Sequence, residues 1–93
     1  MKIKITAVGI LNQQLPCNYE IIEGNDLNVQ GVLDILVNRY GNPIAEELFK
    51  DGKFRKDLSL LINGRNILGM PNKFQTLLKD GDEIIISSYI TGG

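Results

Sequence analysis

Glu83-Ile84-Ile85-Ile86-Ser87-Ser88 is the stretch on which the fold turns. Three consecutive isoleucines are stiff, β-branched side chains that favour a strand, and an unbroken apolar run suits a strand with neighbours on both sides. Asp80-Gly81-Asp82 immediately before it is a turn signal. A central strand this late in a chain needs a partner formed earlier. The N-terminus offers one, because Met1, Ile3, Ile5 and Ala7 alternate with Lys2, Lys4, Thr6 and Val8, the period of two of a strand with one buried face. Asn12-Gln13-Gln14 and Pro16 break that pattern, and Asn18 to Glu23 reads as a second strand, so an N-terminal hairpin is the simplest arrangement.

Between the hairpin and the last strand, Val29, Val32, Leu33, Leu36, Val37 and Tyr40 recur at helical spacing. Asn28 is placed to cap that helix, Gly41 to end it in a left-handed conformation, and Pro43 to prevent its continuation. Ile44 to Lys50 predicts a second, short helix with Ile44, Leu48 and Phe49 inward, followed by a charged turn at Lys50-Asp51-Gly52-Lys53 whose mixed signs fit a solvated surface. Leu58 to Ile62 predicts a third strand, Asn63-Gly64 a tight turn, and Arg65 to Leu68 a short return strand. Phe74 and Leu77 are expected to anchor an irregular segment or a turn of helix before the last strand. If the first strand pairs with the last while the hairpin and the later strands each turn back, that pairing is parallel and one main helix packs across a mixed sheet. This is the β-grasp arrangement, an α+β fold, here as a single domain over residues 1–93 with a flexible tail at 89–93.

Composition narrows the chemistry. Histidine is absent, which removes the commonest general base and most zinc sites. The one cysteine, Cys17, has no partner for a disulfide, no basic neighbour to activate it, and reads as a small buried or half-buried residue near a loop. Ten basic and eleven acidic residues nearly cancel and show no basic stripe, so no nucleic-acid partner is expected. No apolar run is long enough to span a bilayer, and the start Met1-Lys2-Ile3-Lys4 does not resemble a signal peptide, so no membrane partner and a cytosolic location are expected. Glycine-rich phosphate loops are absent. The carboxylate pairs Glu46-Glu47 and Asp80/Asp82 read as a solvated helix and a turn respectively, without the apolar surroundings that raise a carboxyl pKa for acid catalysis. No metal site and no catalytic residue are expected.

The chain closes on Tyr89-Ile90-Thr91-Gly92-Gly93. Glycine has no Cβ, so a Gly-Gly tail threads a channel too narrow for side chains and leaves its carboxylate sterically open. A carboxylate is a poor electrophile until a reagent such as ATP converts it to a mixed anhydride. At this point the sequence resembles the ThiS/MoaD-type sulfur carrier proteins of the ubiquitin-like β-grasp superfamily, over essentially its whole length. The resemblance rests on Asn28 to Asp34 with Arg39-Tyr40-Gly41, on Leu60-Leu61-Ile62-Asn63-Gly64, on Leu78 to Ile84, and on Gly92-Gly93. It implies a non-catalytic carrier whose last glycine, Gly93, is adenylated by an E1-like adenylyltransferase using ATP and converted to a thiocarboxylate, while Gly92 threads the partner's channel. The sulfur then goes to a recipient enzyme of cofactor biosynthesis. The segment from Asn42 to Asp57 makes the chain look more like the small subunit of molybdopterin synthase, whose recipient is the large synthase subunit, than like the shorter thiamine-pathway carrier. No permanently bound cofactor is implied, ATP being used by the activating partner. The same acyl-adenylate is also the first step for a ubiquitin-like modifier joined to lysines through Gly93, and an interaction domain that ends in glycines incidentally is the third reading.

Alternation finally points to a docking face. With Leu58, Leu60, Ile62, Ile84 and Ile86 inward, Leu61 and Ile85 turn to the opposite face of the sheet, which one helix cannot cover. Either the 42–57 segment shields them or they form an apolar patch for a partner protein beside the tail.

Overall fold

The computed structural model describes residues 1–8 and 19–88. The hairpin connection, Cys17, Asn18 and the tail at 89–93, with Gly92 and Gly93, lie outside the described residues. Strands β1 (Lys2–Val8) and β2 (Tyr19–Glu23) are followed by helices α1 (Val29–Tyr40) and α2 (Asn42–Leu48). Two-residue strands β3 (Phe49–Lys50) and β4 (Lys53–Phe54) come next, then β5 (Leu58–Ile62), β6 (Arg65–Asn66) and, after two 3-10 turns, β7 (Glu83–Ser88). Five of these strands form one sheet in the order β2-β1-β7-β5-β6. Strand β7 is central and runs parallel to β1, with Ile5 opposite Ile84 and Ala7 opposite Ile86, while every other pairing in the sheet is antiparallel. The mixed sheet on one main helix is the expected β-grasp arrangement.

Alternation sorts the sheet into two faces. Ile3, Ile5, Ala7, Ile22, Leu58, Leu60, Ile62, Ile84 and Ile86 are buried and meet Val29, Val32, Leu33 and Leu36 of α1 in one apolar cluster. The Asn28 side chain accepts a bond from Gly31 N–H at 2.7 Å, satisfying one of the donors a helix start leaves orphaned. Helix α2 adds Ile44 and Leu48 to the same cluster.

Four local expectations need correction. Gly41 has φ 82° and ψ −157°, so the turn between helices is extended at positive φ rather than left-handed helical. Its N–H still closes α1 on Val37 O at 2.6 Å, and Pro43 sits in the first turn of α2, where its missing N–H costs nothing. The short helix ends at Leu48, because Phe49 turns extended to pair with Phe54 in a hairpin that the sequence reading did not separate from the helix. Only Arg65 and Asn66 return as a strand, and Ile67–Gly69 is a 3-10 turn started by Asn66, whose side chain accepts from Leu68 N–H at 2.9 Å. Leu77 does not anchor the segment after Phe74: it is 71% exposed, while Leu78 is 5% exposed. An isolated bridge pairs Leu77 with Asn28, and Leu78 N–H donates to Leu27 O at 2.9 Å. In this extended segment successive side chains face opposite ways, so Leu78 takes the core.

Leu36 has no exposed surface and sits in the middle of α1. Leu36→Ala is expected to destabilise the fold by about 2–5 kcal/mol through lost burial and the cavity left behind. Urea unfolding measures it, and a loss below about 1 kcal/mol would show that Leu36 is not a core residue.

Candidate functional site

The face of the sheet turned away from α1 carries the sequence-predicted pair. Leu61 on β5 and Ile85 on β7 are direct cross-strand partners, and Ile85 in turn lies opposite Thr6 of β1, which lies opposite Tyr19 of β2. One row therefore runs across the sheet as Tyr19, Thr6, Ile85, Leu61 and, on β6, Asn66. Leu61 and Ile85 are half-buried, since flanking strands and their own neighbours in the row cover their sides. Val8, Tyr19 and Ile21 share this face and are exposed. The 42–57 segment does not shield the row: α2 packs against α1, and Ile44 and Leu48 belong to the core on the opposite side.

Sequence reasoning located Leu61 and Ile85 and missed the other apolar members. Val8 could have been found, because the alternation that buries Ile3, Ile5 and Ala7 sends it outward. Tyr19 and Ile21 need the β1–β2 register, which pairs Lys4 with Ile21 and Thr6 with Tyr19. Charges border the row on one side. Lys4 Nζ lies 3.8 Å from Glu83 and 4.8 Å from the centre of the Tyr19 ring. Both members of the ion pair are well exposed, so it orients the side chains more than it stabilises the fold.

The paired carboxylates of the last turn are occupied structurally. Asp80 accepts Lys2 N–H at 2.7 Å, while Asp82 accepts Lys79 N–H at 2.8 Å and the Asn63 side-chain amide at 2.9 Å. Asn63 completes the link by accepting Glu83 N–H at 3.0 Å and donating its own backbone N–H to Glu83 O at 2.9 Å. These bonds tie the start of β1, the turn after β5 and the start of β7 together, which fixes where β7 begins and so where its far end points. Among the described residues no group of three His, Cys, Asp or Glu side chains is arranged to hold a metal ion, and no helix is long and apolar enough to cross a membrane.

Comparison with solved structures identifies the architecture. The small archaeal modifier protein 1 of Methanosarcina acetivorans superposes with a TM-score of 0.82 at 27% identity, covering 99% of this chain and 96% of that one. The fold is the ubiquitin-like β-grasp. A putative molybdopterin converting factor subunit 1 from Pyrococcus furiosus gives 0.75 at 23% identity over 97% and 99% of the two chains. The structure of the Amycolatopsis orientalis BexX/CysO complex gives 0.76 at 20% identity over 98% and 99%. The structural neighbours are thus ubiquitin-like β-grasp proteins of the ThiS/MoaD type that the sequence resembles, and in general kind small modifiers and carriers. No protein-family model matches the sequence, and no curated protein matches it.

The edge strand that carries Tyr19 and Ile21 is held to α1 by a polar latch. Tyr40 donates its hydroxyl to the Glu20 carboxylate, and Arg39 Nη1 reaches Glu20 at 3.4 Å and Ile21 O at 3.1 Å. The tyrosine bond holds the Glu20 carboxyl below its ordinary range, against the opposing effect of burial, with Ile21 N–H and Arg39 adding to the lowering. The same bond, then burial and the Glu20 charge, raise the Tyr40 hydroxyl. A lowered carboxyl contributes stability above its unfolded pKa and loses it as pH falls through the folded value; a raised phenol contributes below its unfolded pKa and loses it as pH rises through the folded one. Tyr40→Phe is therefore expected to reduce stability at neutral pH and to approach the wild type as pH falls through the lowered folded-state pKa of Glu20, below which the carboxyl is protonated in both. Urea titrations at a series of pH values measure the gap, and a gap independent of pH would show that the carboxylate is not the partner that matters.

Proposed function

We propose that this chain is an acyl carrier for sulfur. In this reading the Gly93 carboxylate attacks the α-phosphorus of ATP in an E1-like adenylyltransferase, releasing pyrophosphate and leaving an acyl-adenylate. Sulfide then adds to the acyl carbon and displaces AMP, so that one carboxylate oxygen leaves with the nucleotide and a thiocarboxylate remains. Gly92 lets the tail enter the partner's active site, and the carrier itself supplies no catalytic group. What supports the reading is the central position of β7: the strand ends at Ser88, five residues before Gly93, and carries Ile85 on the face that α1 leaves open. A partner that grips the apolar row of Leu61 and Ile85 then has the tail within reach, since five extended residues span roughly 17 Å. The likeness to a putative molybdopterin converting factor subunit favours the large subunit of molybdopterin synthase as the recipient.

A second reading has its own observation. The neighbour at 27% identity is a small archaeal modifier protein by name, which fits transfer of the Gly93 acyl group to a lysine amine in place of sulfide. Both begin with the same adenylate and part at the nucleophile.

Incubation with an E1-like enzyme, ATP and sulfide, followed by intact-mass measurement, tests the proposal. The expected product shows one oxygen replaced by sulfur, and deletion of Gly93 abolishes it without lowering thermal stability. A truncated chain that still acquires sulfur would overturn the assignment of Gly93, and exclusive appearance of lysine conjugates would favour the modifier reading. Leu61→Asp and Ile85→Asp are each expected to weaken binding to the activating enzyme and to slow sulfur loading while thermal unfolding stays cooperative. Unchanged binding, or unfolding in place of a binding defect, would remove these residues from the interface.

A further inference from the structure

Residues 50–57, Lys-Asp-Gly-Lys-Phe-Arg-Lys-Asp, carry four of the chain's ten basic residues and two of its eleven acidic ones. The rest of the chain is acidic on balance. The β3–β4 hairpin presents part of this charge in an unfavourable way, because Lys50 and Lys53 are directly opposite each other and both exposed. Like charges at facing strand positions destabilise a hairpin, and a pair of two-residue strands has little pairing energy to set against that. Arg55 is paired with Asp57 at 2.6 Å, whereas Lys50, Lys53 and Lys56 make no ion pair among the described residues.

What holds the hairpin is aromatic and backbone contact. The Phe54 ring lies 6.1 Å from Phe49 and 5.3 Å from Phe74, and Arg55 N–H donates to Leu48 O at 2.9 Å. On its far side Phe54 walls a cavity of about 420 Å³ whose other apolar sides are Leu58, Leu60, Ile67, Leu68 and Phe74, with Arg55 and Lys56 at the rim. Leu68 is 65% exposed there. A second depression, lined by Lys50, Asp51, Lys53 and Lys56 and by the Arg55–Asp57 pair, adjoins the first and shares Phe54, Arg55 and Lys56 with it; its four basic side chains outnumber its two carboxylates, so it is cationic on balance. The two make one track, apolar at one end and cationic at the other.

We infer that this track binds an extended acidic segment of a partner protein, one bulky apolar side chain filling the Phe54–Phe74 cavity and carboxylates lying along Lys56, Lys53 and Lys50. A small anion would meet the lysines without needing the apolar cavity, and a small apolar ligand would fill the cavity without reaching Lys50. Only a chain with both features uses the whole track. The facing lysines, costly in the free protein, are relieved when carboxylates lie between them. This surface borders the row of Leu61 and Ile85 at Asn66, Leu61 and Ile85 themselves lying outside it, and the inference stands whether or not Gly93 carries sulfur.

The test uses the full chain and two fluorescein-labelled peptides, Trp-Ser-Glu-Asp-Glu and its reversed sequence, with fluorescence anisotropy for affinity and amide chemical shifts for location. At least one peptide is expected to bind, moving the amides of Ile67, Leu68 and Phe74, and to bind more weakly as salt is raised. Lys53→Glu combined with Lys56→Glu, and separately Leu68→Glu, are each expected to weaken it by about tenfold or more, while Leu61→Asp has no effect. All three substituted positions of the track are exposed, so thermal unfolding is expected to match the wild type. No binding by either peptide, binding insensitive to salt, shifts confined to the Ile85 row, or equal affinity for free indole-3-acetate would each overturn the inference.

Discussion

The parallel ladder between β1 and β7 is the constraint on which the rest depends. It joins the first strand to the last, so nearly the whole chain must close as one loop before this pairing can form. Such distant contacts are expensive in chain entropy and slow to find. The compensation is that both strands become central, and the backbone polar groups of an all-isoleucine run find partners on either side while Ile84 and Ile86 bury their full surface against α1. The edges fall to β2 and to the two-residue β6, where Glu23 and Arg65 are exposed, a common way of discouraging sheet-to-sheet aggregation.

The hydrogen bonds around Asp80, Asp82 and Asn63 serve that ladder. A strand slipped by one residue would put Ile85 in the core and Ile84 and Ile86 in solvent. The turn prevents this from outside the ladder: Asp80 holds Lys2 N–H, Gly81 N–H returns to Lys2 O at 2.9 Å, and Asp82 O takes Lys4 N–H at 3.1 Å. Both oxygens of Asp82 and one of Asp80 are therefore committed to backbone donors and to an amide. The sequence places both aspartates in a turn, and their geometry is that of a register pin.

The elements that were legible in the sequence are those whose pattern is long enough to repeat. Seven residues of strict alternation gave β1, twelve at helical spacing gave α1, and an Ile run between a turn and two serines gave β7. The β3–β4 hairpin escaped because two residues are too few to show any period, and Phe49 follows Ile44 and Leu48 at a spacing that continues a helix as well as it begins a strand. Leu77 and Leu78 could not be separated for a related reason: which of two adjacent leucines turns inward is set by the bridge to Asn28, some fifty residues earlier. At the candidate site, parity within each strand was enough for Leu61 and Ile85. That they touch, and that Thr6 and Tyr19 extend the row, is information held in the pairing between strands, which a single sequence does not display.

The two surfaces also differ in how they are built, and the difference bears on what each is able to recognise. The Leu61–Ile85 row lies on the most rigid part of the molecule, with backbones locked into ladders on both sides, so its shape is fixed before a partner arrives. Recognition there costs little ordering and depends on apolar area. The cationic end of the track is carried by a six-residue hairpin, residues 49–54, braced by Phe49, Phe54, Arg55 and their contacts, and the lysines have long side chains free to follow a ligand. A fixed apolar face suits a partner that must always be met in one orientation, as the proposed transfer through the Gly92-Gly93 tail demands. A braced, adaptable basic hairpin suits a contact whose strength is set by charge and ionic strength. Leu58 and Leu60 line the track from the α1 side of β5 while Leu61 faces the other side, so the sheet itself separates the two surfaces up to their shared border at Asn66, and it does not have to move to serve either.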